Sequence, residues 1–295
     1  MTDQTDSPSS GTLSPAAVLL QDFSLEMTGK DVPALLDSVH AISVGTKVNV
    51  TFLGNEDLDM RVAAARAVRD NGFLPVPHIS ARRLHSEQET REFLEALQAV
   101  NATESVFVVG GDPSEPMGPY DSSTDLIASG LFAEYGVKEV NIAGYPEGHP
   151  DITDAMLWDH LQRKSALLKD QGLQSTILTQ FGFDADPIID WVREVRARGI
   201  DSTIRLGIPG PAGIKRLLSY AKRFGVATSA GIVKKYGFSI TNLLGTAGPD
   251  KFVADLAERL AAEPTAGDVK VHLYAFGGLQ ATSEWARDFS AGVAR

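Results

Sequence analysis

Asp112 follows a run of four apolar residues and a pair of glycines, within residues 106–113. Four consecutive apolar residues are typical of a strand that is buried on both faces, as in a parallel sheet. Gly110 and Gly111 allow the backbone to bend sharply and to come close to a ligand. Parallel α/β folds place their chemistry at the carboxyl ends of strands, so we expect the Asp112 carboxylate at a functional site. A turn that merely carries an aspartate fits this segment alone equally well.

The same arrangement recurs along the chain, because polar or aromatic residues follow seven of the eight segments that we predict to be strands. These positions are Glu26, Thr51, His78, Asp112, residues 145–149, Gln180 and Tyr274. A purely structural barrel does not need such residues at its strand ends. Each of these residues alone could simply line the mouth of the barrel. Their recurrence at seven strand ends is what favours a functional site.

Glu26 is the most informative of these residues. The apolar residues among positions 23–27 predict that its carboxyl group is partly removed from water. Burial raises the pKa of a carboxyl group, so Glu26 could carry a proton near neutral pH and donate it. The alternative is a carboxylate at the rim that pairs with Lys30 or Arg82.

Gln180 and its aromatic neighbours are candidates for binding a flat ring. The amide of Gln180 both donates and accepts hydrogen bonds, which suits the edge of a heteroaromatic ring. Phe181 or Phe183 could form a stacking wall, and we expect at least one of the two to belong to the core. The six histidines lack the spacing of a metal site, so we interpret His78 and His149 as hydrogen-bonding groups and predict no metal. The chain also lacks a serine nucleophile elbow and a Walker-type phosphate loop.

The elements that must position these residues alternate between strand and helix. Strands are predicted at residues 22–26, 47–52, 74–80, 106–109, 137–144, 173–180, 201–208 and 269–274. Helices are predicted at residues 32–39, 58–70, 86–100, 122–135, 152–170, 212–224, 249–261 and 281–291. A further helix is predicted to start with Asp186 as its N-cap and Pro187 as its first residue. About eight alternations predict a closed (β/α)8 TIM barrel. A doubly wound open sheet is the alternative, but residues 25–29 do not form its glycine fingerprint.

Length and composition predict a single domain over residues 15–295, preceded by a flexible tail over residues 1–14. The formal net charge of −11 argues against a nucleic-acid partner. The absence of cysteine excludes disulfides, thiolate metal sites and cysteine nucleophiles. No apolar run approaches the length of a membrane span, and the first residues do not resemble a signal peptide, so we expect a cytoplasmic protein without a membrane partner.

The residues at the predicted strand ends resemble those of the methylenetetrahydrofolate reductase family, whose members are flavin-dependent (β/α)8 barrels. The resemblance covers most of residues 23–274. It rests on the order of six motifs: Val-Thr at 50–51, Pro-His-Ile-Ser at 77–80, Gly-Asp-Pro at 111–113, Tyr-Pro-Glu-Gly-His-Pro at 145–150, Thr-Gln-Phe-Gly-Phe-Asp at 179–184 and Ile-Pro-Gly at 208–210.

The resemblance implies the reduction of 5,10-methylenetetrahydrofolate to 5-methyltetrahydrofolate by NADH or NADPH through FAD, or the reverse oxidation in a one-carbon catabolic route. It implies that Glu26 is the acid that opens the five-membered ring, that the Asp112 charge stabilises a cationic folate intermediate, and that Gln180 serves both folate and nicotinamide. The implied FAD contacts are Thr51, His78, Gly111, Asp112, Tyr145, His149 and Lys164. The implied substrate contacts are Gln180, Phe181, Phe183 and Tyr274. A homo-oligomer is left open.

The chain departs from the family pattern at several positions. Residues 27–29 replace two prolines, Gly110 replaces an arginine, and Ile214 replaces an aromatic residue that stacks on the ligand. The last strand ends in residues 274–278, Tyr-Ala-Phe-Gly-Gly, instead of an Asn-Arg pair, so Lys234 or Lys235 would have to bind the folate tail.

These departures motivate two alternatives. In the first, folate and nicotinamide bind together and hydride passes directly between them, without a flavin. In the second, the barrel is a non-catalytic folate or flavin carrier that works with a partner subunit.

Overall fold

The computed structural model describes residues 13–52, 54, 56–223 and 246–292. Eight parallel strands close into a barrel in which each strand pairs with its neighbours in the chain and the last strand pairs with the first. The strands are β1 (Ser24–Thr28), β2 (Lys47–Thr51), β3 (Leu74–Ser80), β4 (Ser105–Val109), β5 (Glu139–Gly144), β6 (Gln174–Phe181), β7 (Thr203–Pro209) and β8 (Val269–Tyr274). The predicted (β/α)8 barrel is therefore confirmed.

Helices surround the barrel. They are α1 (Pro15–Leu19), α2 (Val32–Ser38), α3 (Leu58–Asp70), α4 (Glu87–Ala99), α5 (Ser123–Ala128), α6 (Leu131–Glu134), α7 (Asp154–Asp170), α8 (Ala185–Ala197), α9 (Ile214–Arg223), α10 (Asp250–Ala261) and α11 (Leu279–Ser290). Two-residue strands at Ala212–Gly213 and Thr246–Ala247 pair antiparallel beside α9. None of the helices in the described ranges combines the length and apolarity that crossing a bilayer requires.

Two predicted helices differ from the structure for local reasons. The helix expected at 122–135 is split into α5 and α6, because Gly130 adopts a left-handed conformation with a φ of 75°. Helix α8 begins two residues before the predicted start. Its N-cap is Asp184, which has an extended backbone and accepts a hydrogen bond from the Asp186 N–H, so Pro187 lies in the first turn, where a ring is tolerated.

Alternation along each strand decides which side chains enter the barrel. In β8, Val271 and Leu273 belong to the core between strands and helices, whereas His272 and Tyr274 contact each other on the opposite face. The interior is unusually polar at the amino ends of the strands, where Glu139 accepts hydrogen bonds from Lys47 Nζ at 2.7 Å and from two hydroxyl groups. This network ties β2 to β5 across the barrel.

Candidate functional site

A cavity of about 390 Å³ opens at the carboxyl ends of the strands. Its volume lies in the range of small-molecule sites. It is lined by Glu26, Met27, Thr28, Asp31, Thr51, Phe107, Val109, Ala143, Gly144, Tyr145, Leu178, Gln180, Phe181, Tyr220, Tyr274, Ala275 and Phe276. The lining is aromatic and acidic, and no lysine or arginine among the described residues contributes to it. A larger groove of about 880 Å³ lies at the amino ends of β5 to β7, opposite the end where parallel barrels carry out chemistry.

Glu26 lies in the middle of β1 with its side chain 22% exposed, and its Oε2 is 3.6 Å from Nε2 of His272. Burial raises the pKa of this carboxyl group, but interactions with His272 and with the Thr51 hydroxyl outweigh burial and hold the pKa below its usual value. The expectation of a raised pKa for Glu26 is therefore wrong. The sequence shows the apolar neighbours of Glu26 but not the groups that other strands bring to it.

His272 is the functional candidate that the sequence reasoning missed. The ring is fully buried, and its Nδ1 lies 2.9 Å from Oγ of Ser24, the residue directly opposite on β1. The available signal was its position two residues before Tyr274, which places both side chains on the inner face of β8. His272 therefore lies directly behind the acid that faces the cavity.

His78 lies beneath the cavity rather than in its lining. Its Nε2 is 3.2 Å from Oδ1 of Asn49, and its ring meets Phe107 edge-on at 4.6 Å. Burial lowers the pKa of His78 to about 4, so this imidazole is neutral at physiological pH. Of the two histidines near Glu26, only His272 is within 4 Å of the carboxylate.

Gln180 reaches the cavity because β6 is irregular at this point. The pairing of β6 with β7 shifts between Leu178 and Phe181, which inserts a bulge at Thr179 and Gln180. The neighbouring Gly207 accommodates the bulge, since a Cβ atom there would lie 2.5 Å from the Thr179 carbonyl oxygen. Glu26 and Gln180, which are far apart in sequence, thus line the same cavity.

Aromatic rings form one wall of the cavity. Phe276 stacks on Tyr220 with ring centroids 4.1 Å apart and planes 7° apart, and Phe181 meets Phe276 edge-on at 5.2 Å. Tyr274 completes the wall and donates a hydrogen bond to the Thr179 carbonyl. The sequence reasoning named Phe181 and Tyr274 but missed Tyr220 and Phe276.

Phe183 and Ile214 do not line this wall. Phe181 and Phe183 pack in the same buried cluster, and of the two only Phe181 also lines the cavity. Ile214 belongs to the same cluster. The aromatic ring that helix α9 brings to the cavity is that of Tyr220, six residues after Ile214.

The residues predicted to bind flavin are spread over a wide area. Thr51 and Tyr145 line the cavity. Asp112 does not: its carboxylate is 79% exposed and forms an ion pair with Arg83 at 2.6 Å. Gly111, which precedes it, has a φ of 97°, and a Cβ atom there would lie 2.7 Å from Oγ of Ser80. The sharp bend therefore requires a glycine at this position.

His149 and Lys164 also lie outside the cavity lining. His149 packs edge-on against Tyr145, and its Nδ1 accepts the Asp151 N–H at 3.1 Å. Lys164 is on the buried face of α7 with Leu161 and Leu168, and burial lowers its pKa to about 8. Lys234 and Lys235, proposed for the folate tail, lie outside the described residues.

Together these positions do not form a flavin cradle. A flavin needs polar partners around its ring and cations near its diphosphate. In the described part of the chain, the cavity offers two carboxylates and no cation, and five of the seven predicted contacts lie beneath or outside it. FAD stays a prediction of the resemblance.

Comparison with known proteins agrees with the barrel and with the motifs at its carboxyl end. The sequence profile of the family described as Methylenetetrahydrofolate reductase matches residues 20–237, well over half of the chain. A 5,10-methylenetetrahydrofolate reductase of Pectobacterium carotovorum subsp. carotovorum is 28% identical over 176 residues, which cover 59% of this chain and 57% of the relative. Methylenetetrahydrofolate reductase 2 of Saccharomyces cerevisiae is 28% identical over 128 residues, 41% of this chain and 20% of the relative.

The chain thus matches little more than half the length of the bacterial relative and a fifth of the yeast one. A solved structure with the same fold is an uncharacterized protein from Clostridium thermocellum that binds two copies of 5-methyl-5,6,7,8-tetrahydrofolic acid. It has a TM-score of 0.56 at 10% identity and covers 93% of this chain and 98% of that one. Because the family profile spans most of the barrel and the site motifs stand at its strand ends, the chain belongs to the methylenetetrahydrofolate reductase family.

Proposed function

We propose that this chain interconverts 5,10-methylenetetrahydrofolate and 5-methyltetrahydrofolate, with Glu26 as the group that gives and takes the proton at N10. The observation that carries the proposal is that Glu26 and Gln180 line one aromatic cavity at the catalytic end of the barrel. Family membership supports the same reaction. The folate ligand of the Clostridium protein with the same fold supports a folate substrate.

In the reducing direction, Glu26 donates a proton to N10 as the bond between N10 and the methylene carbon breaks, with its electron pair moving to N10. The N5 lone pair then forms an iminium with the methylene carbon. A hydride added to that carbon returns the electron pair to N5 and leaves a methyl group. The carboxylates of Glu26 and Asp31 favour the cationic intermediate, and the Gln180 amide fits the edge of the pterin.

The hydride donor in this proposal is a reduced nicotinamide, NADH or NADPH, that occupies the cavity together with the folate and transfers hydride directly. The aromatic wall of Phe181, Tyr220 and Phe276 offers faces for both rings. The lack of a flavin cradle in the described residues favours direct transfer over a path through FAD.

The first test is anaerobic turnover of the purified chain with methylenetetrahydrofolate and either NADH or NADPH. We expect a colourless protein that oxidises one of the two nicotinamides in proportion to the 5-methyltetrahydrofolate formed. A flavin absorption band that the nicotinamide bleaches would overturn direct transfer and restore the FAD hypothesis. A pure chain that binds folate and never turns over would support the carrier alternative.

Glu26→Gln and Asp112→Asn form a matched pair of carboxyl-to-amide changes. We expect Glu26→Gln to lower the rate by about 10²–10⁴-fold, the usual range for loss of a general acid. Asp112→Asn should change it only slightly, because the Asp112 carboxylate is exposed, bound to Arg83 and outside the cavity. A wild-type rate in Glu26→Gln would remove the acid assignment, and a large loss in Asp112→Asn would restore the catalytic role that the resemblance implies for Asp112.

A further inference from the structure

The surroundings of Glu26 carry a further inference, which rests on the proposed function. The barrel pairs β1 with β8 so that Ser24 lies opposite His272. Because Glu26 is two residues after Ser24 and Tyr274 two residues after His272, all four side chains lie on inner faces of adjacent strands. Ser24 and His272 are both fully buried behind Glu26.

The orientation of the imidazole follows from its contacts. Nδ1 is 2.9 Å from the Ser24 hydroxyl, and Nε2 is 3.6 Å from Oε2 of Glu26. Nε2 is buried and has no partner within hydrogen-bonding distance among the described residues. If Ser24 donates its hydroxyl proton to Nδ1, the ring proton lies on Nε2 and points towards the carboxylate. Hydrogen bonds between catalytic groups commonly shorten when a substrate binds.

Other titratable groups also face Glu26, but none replaces His272. His78 on β3 is bound to Asn49, and its pKa of about 4 keeps it neutral. Burial raises the pKa values of Tyr274 on β8 and of Tyr145, which follows β5, so both are neutral as well. Asp31 lines the same cavity, but an aspartate has no positive charge with which to stabilise a neighbouring carboxylate.

We propose that His272 is a positioning residue for Glu26: held by Ser24 through Nδ1, it directs Nε2 at the carboxyl group and stabilises the carboxylate that forms when Glu26 gives its proton to N10. His272 makes no covalent bond and does not touch the substrate. It makes protonated Glu26 a stronger acid and fixes the direction in which Glu26 donates.

The kinetic test compares His272→Asn with His272→Gln. The Asn amide reproduces the atom near Ser24 and removes the one that faces Glu26, whereas the Gln amide can place a donor near Glu26. Without the imidazole, the strongest influence that lowers the pKa of Glu26 is lost, so burial raises this pKa. In His272→Asn we therefore expect the limb of the pH–rate profile that reports Glu26 to move to higher pH, while the maximal rate at low pH falls by about tenfold or more and KM stays nearly constant.

His272→Gln should lie between His272→Asn and the wild type in both respects. His160→Asn is the matched control, because His160 is on α7, bonds to Thr124 and lies outside the cavity lining. We expect it to keep the wild-type profile. A parallel loss of rate at all pH values in both His272 variants, without a shift of the limb, would show a merely structural role and overturn the proposal.

A second measurement does not depend on activity. In long-range proton–nitrogen NMR spectra of the six histidine rings, His272 is identified by its absence in His272→Gln, or by contact with the Tyr274 ring 4.8 Å away. We expect Nε2 to be protonated, and we expect Glu26→Gln to change the His272 signals and to leave those of His160 unchanged. Unchanged His272 signals would overturn the pairing. Coupled signals in a chain that does not turn over folate would instead contradict only the proposed reaction.

Discussion

At the scale of single residues, the protonation state of Glu26 links the structure to the proposed reaction. The side chain is 22% exposed, and burial is the influence that raises its pKa. A ligand that covers the remaining exposed fraction strengthens that influence. We therefore expect the pKa of Glu26 to move up on binding, so that the carboxylate, which is ionised beforehand, takes up a proton.

The resulting prediction concerns binding and not turnover. The affinity for 5-methyltetrahydrofolate should increase as the pH falls, and calorimetry in buffers of different ionisation enthalpy should detect proton uptake. Glu26→Gln should bind without this proton uptake. Equal uptake in both proteins would assign the proton to another group.

At the scale of elements, helix α9 and the end of strand β8 with the loop after it bring together aromatic residues that are far apart in sequence. Tyr220 stacks on Phe276 with nearly parallel rings. A stacked pair of this kind contributes about 0.5–1.5 kcal/mol beyond the area that it buries.

We expect Tyr220→Ala to raise KM for the nicotinamide or the folate by about two- to tenfold, because a ring that packs against the ligand is lost, and to change kcat less. Tyr220→Phe keeps the ring and should behave like the wild type. Steady-state kinetics with each substrate varied separately shows which of the two rings lies against the wall. An unchanged KM for both would place the ligands away from α9.

Strand β7 controls the position of Gln180 through a close approach of two backbones. A Cβ atom on Gly207 would lie 2.5 Å from the Thr179 carbonyl oxygen, whereas one on Gly213 would have no other described atom within 4 Å. Gly207→Ala must therefore displace the bulge that carries Gln180. We expect a lower melting temperature and a large loss of activity in Gly207→Ala, and near wild-type values in Gly213→Ala. If both variants behave alike, this contact does not position Gln180.

At the scale of the whole molecule, the ion pair of Lys47 and Glu139 connects opposite sides of the barrel, with side chains 20% and 13% exposed. Burial raises the pKa of Glu139, but Lys47 and two hydroxyl groups outweigh it and hold the pKa below 4.5. Because the pKa is lower in the folded state, the stabilisation is present above about pH 4.5 and is lost as the pH falls through the folded-state pKa.

Lys47→Met leaves a buried carboxylate without its cation, and we expect it to lower the free energy of unfolding by about 3 kcal/mol at neutral pH. Denaturant unfolding at several pH values measures this, and the deficit should shrink in acid as Glu139 is protonated. Lys138→Met is the control, since its pair with Glu104 is 72% and 57% exposed and should matter by less than about 1 kcal/mol. Equal effects of the two changes would contradict a special role for the interior pair.

The sequence by itself determined the barrel and predicted a candidate site at its carboxyl end, where the structure has a cavity. Hydrophobic runs, glycine and proline breaks and helix caps are local, so they can be read without knowing what packs against them. For the same reason, the sequence correctly brought Glu26 and Gln180 to one end of the fold, although the catalytic roles of these residues stay predictions.

Only the tertiary structure decided which groups meet there. It paired His272 with Glu26, brought Tyr220 to the aromatic wall, and left Asp112 on the exposed side of its loop with Arg83. The pairing with His272 also lowers the pKa of Glu26, which the sequence had predicted to be raised. These features depend on which strands are neighbours after the barrel closes and on a bulge that rotates one strand, and neither is encoded by the residues on either side of a given position in the chain.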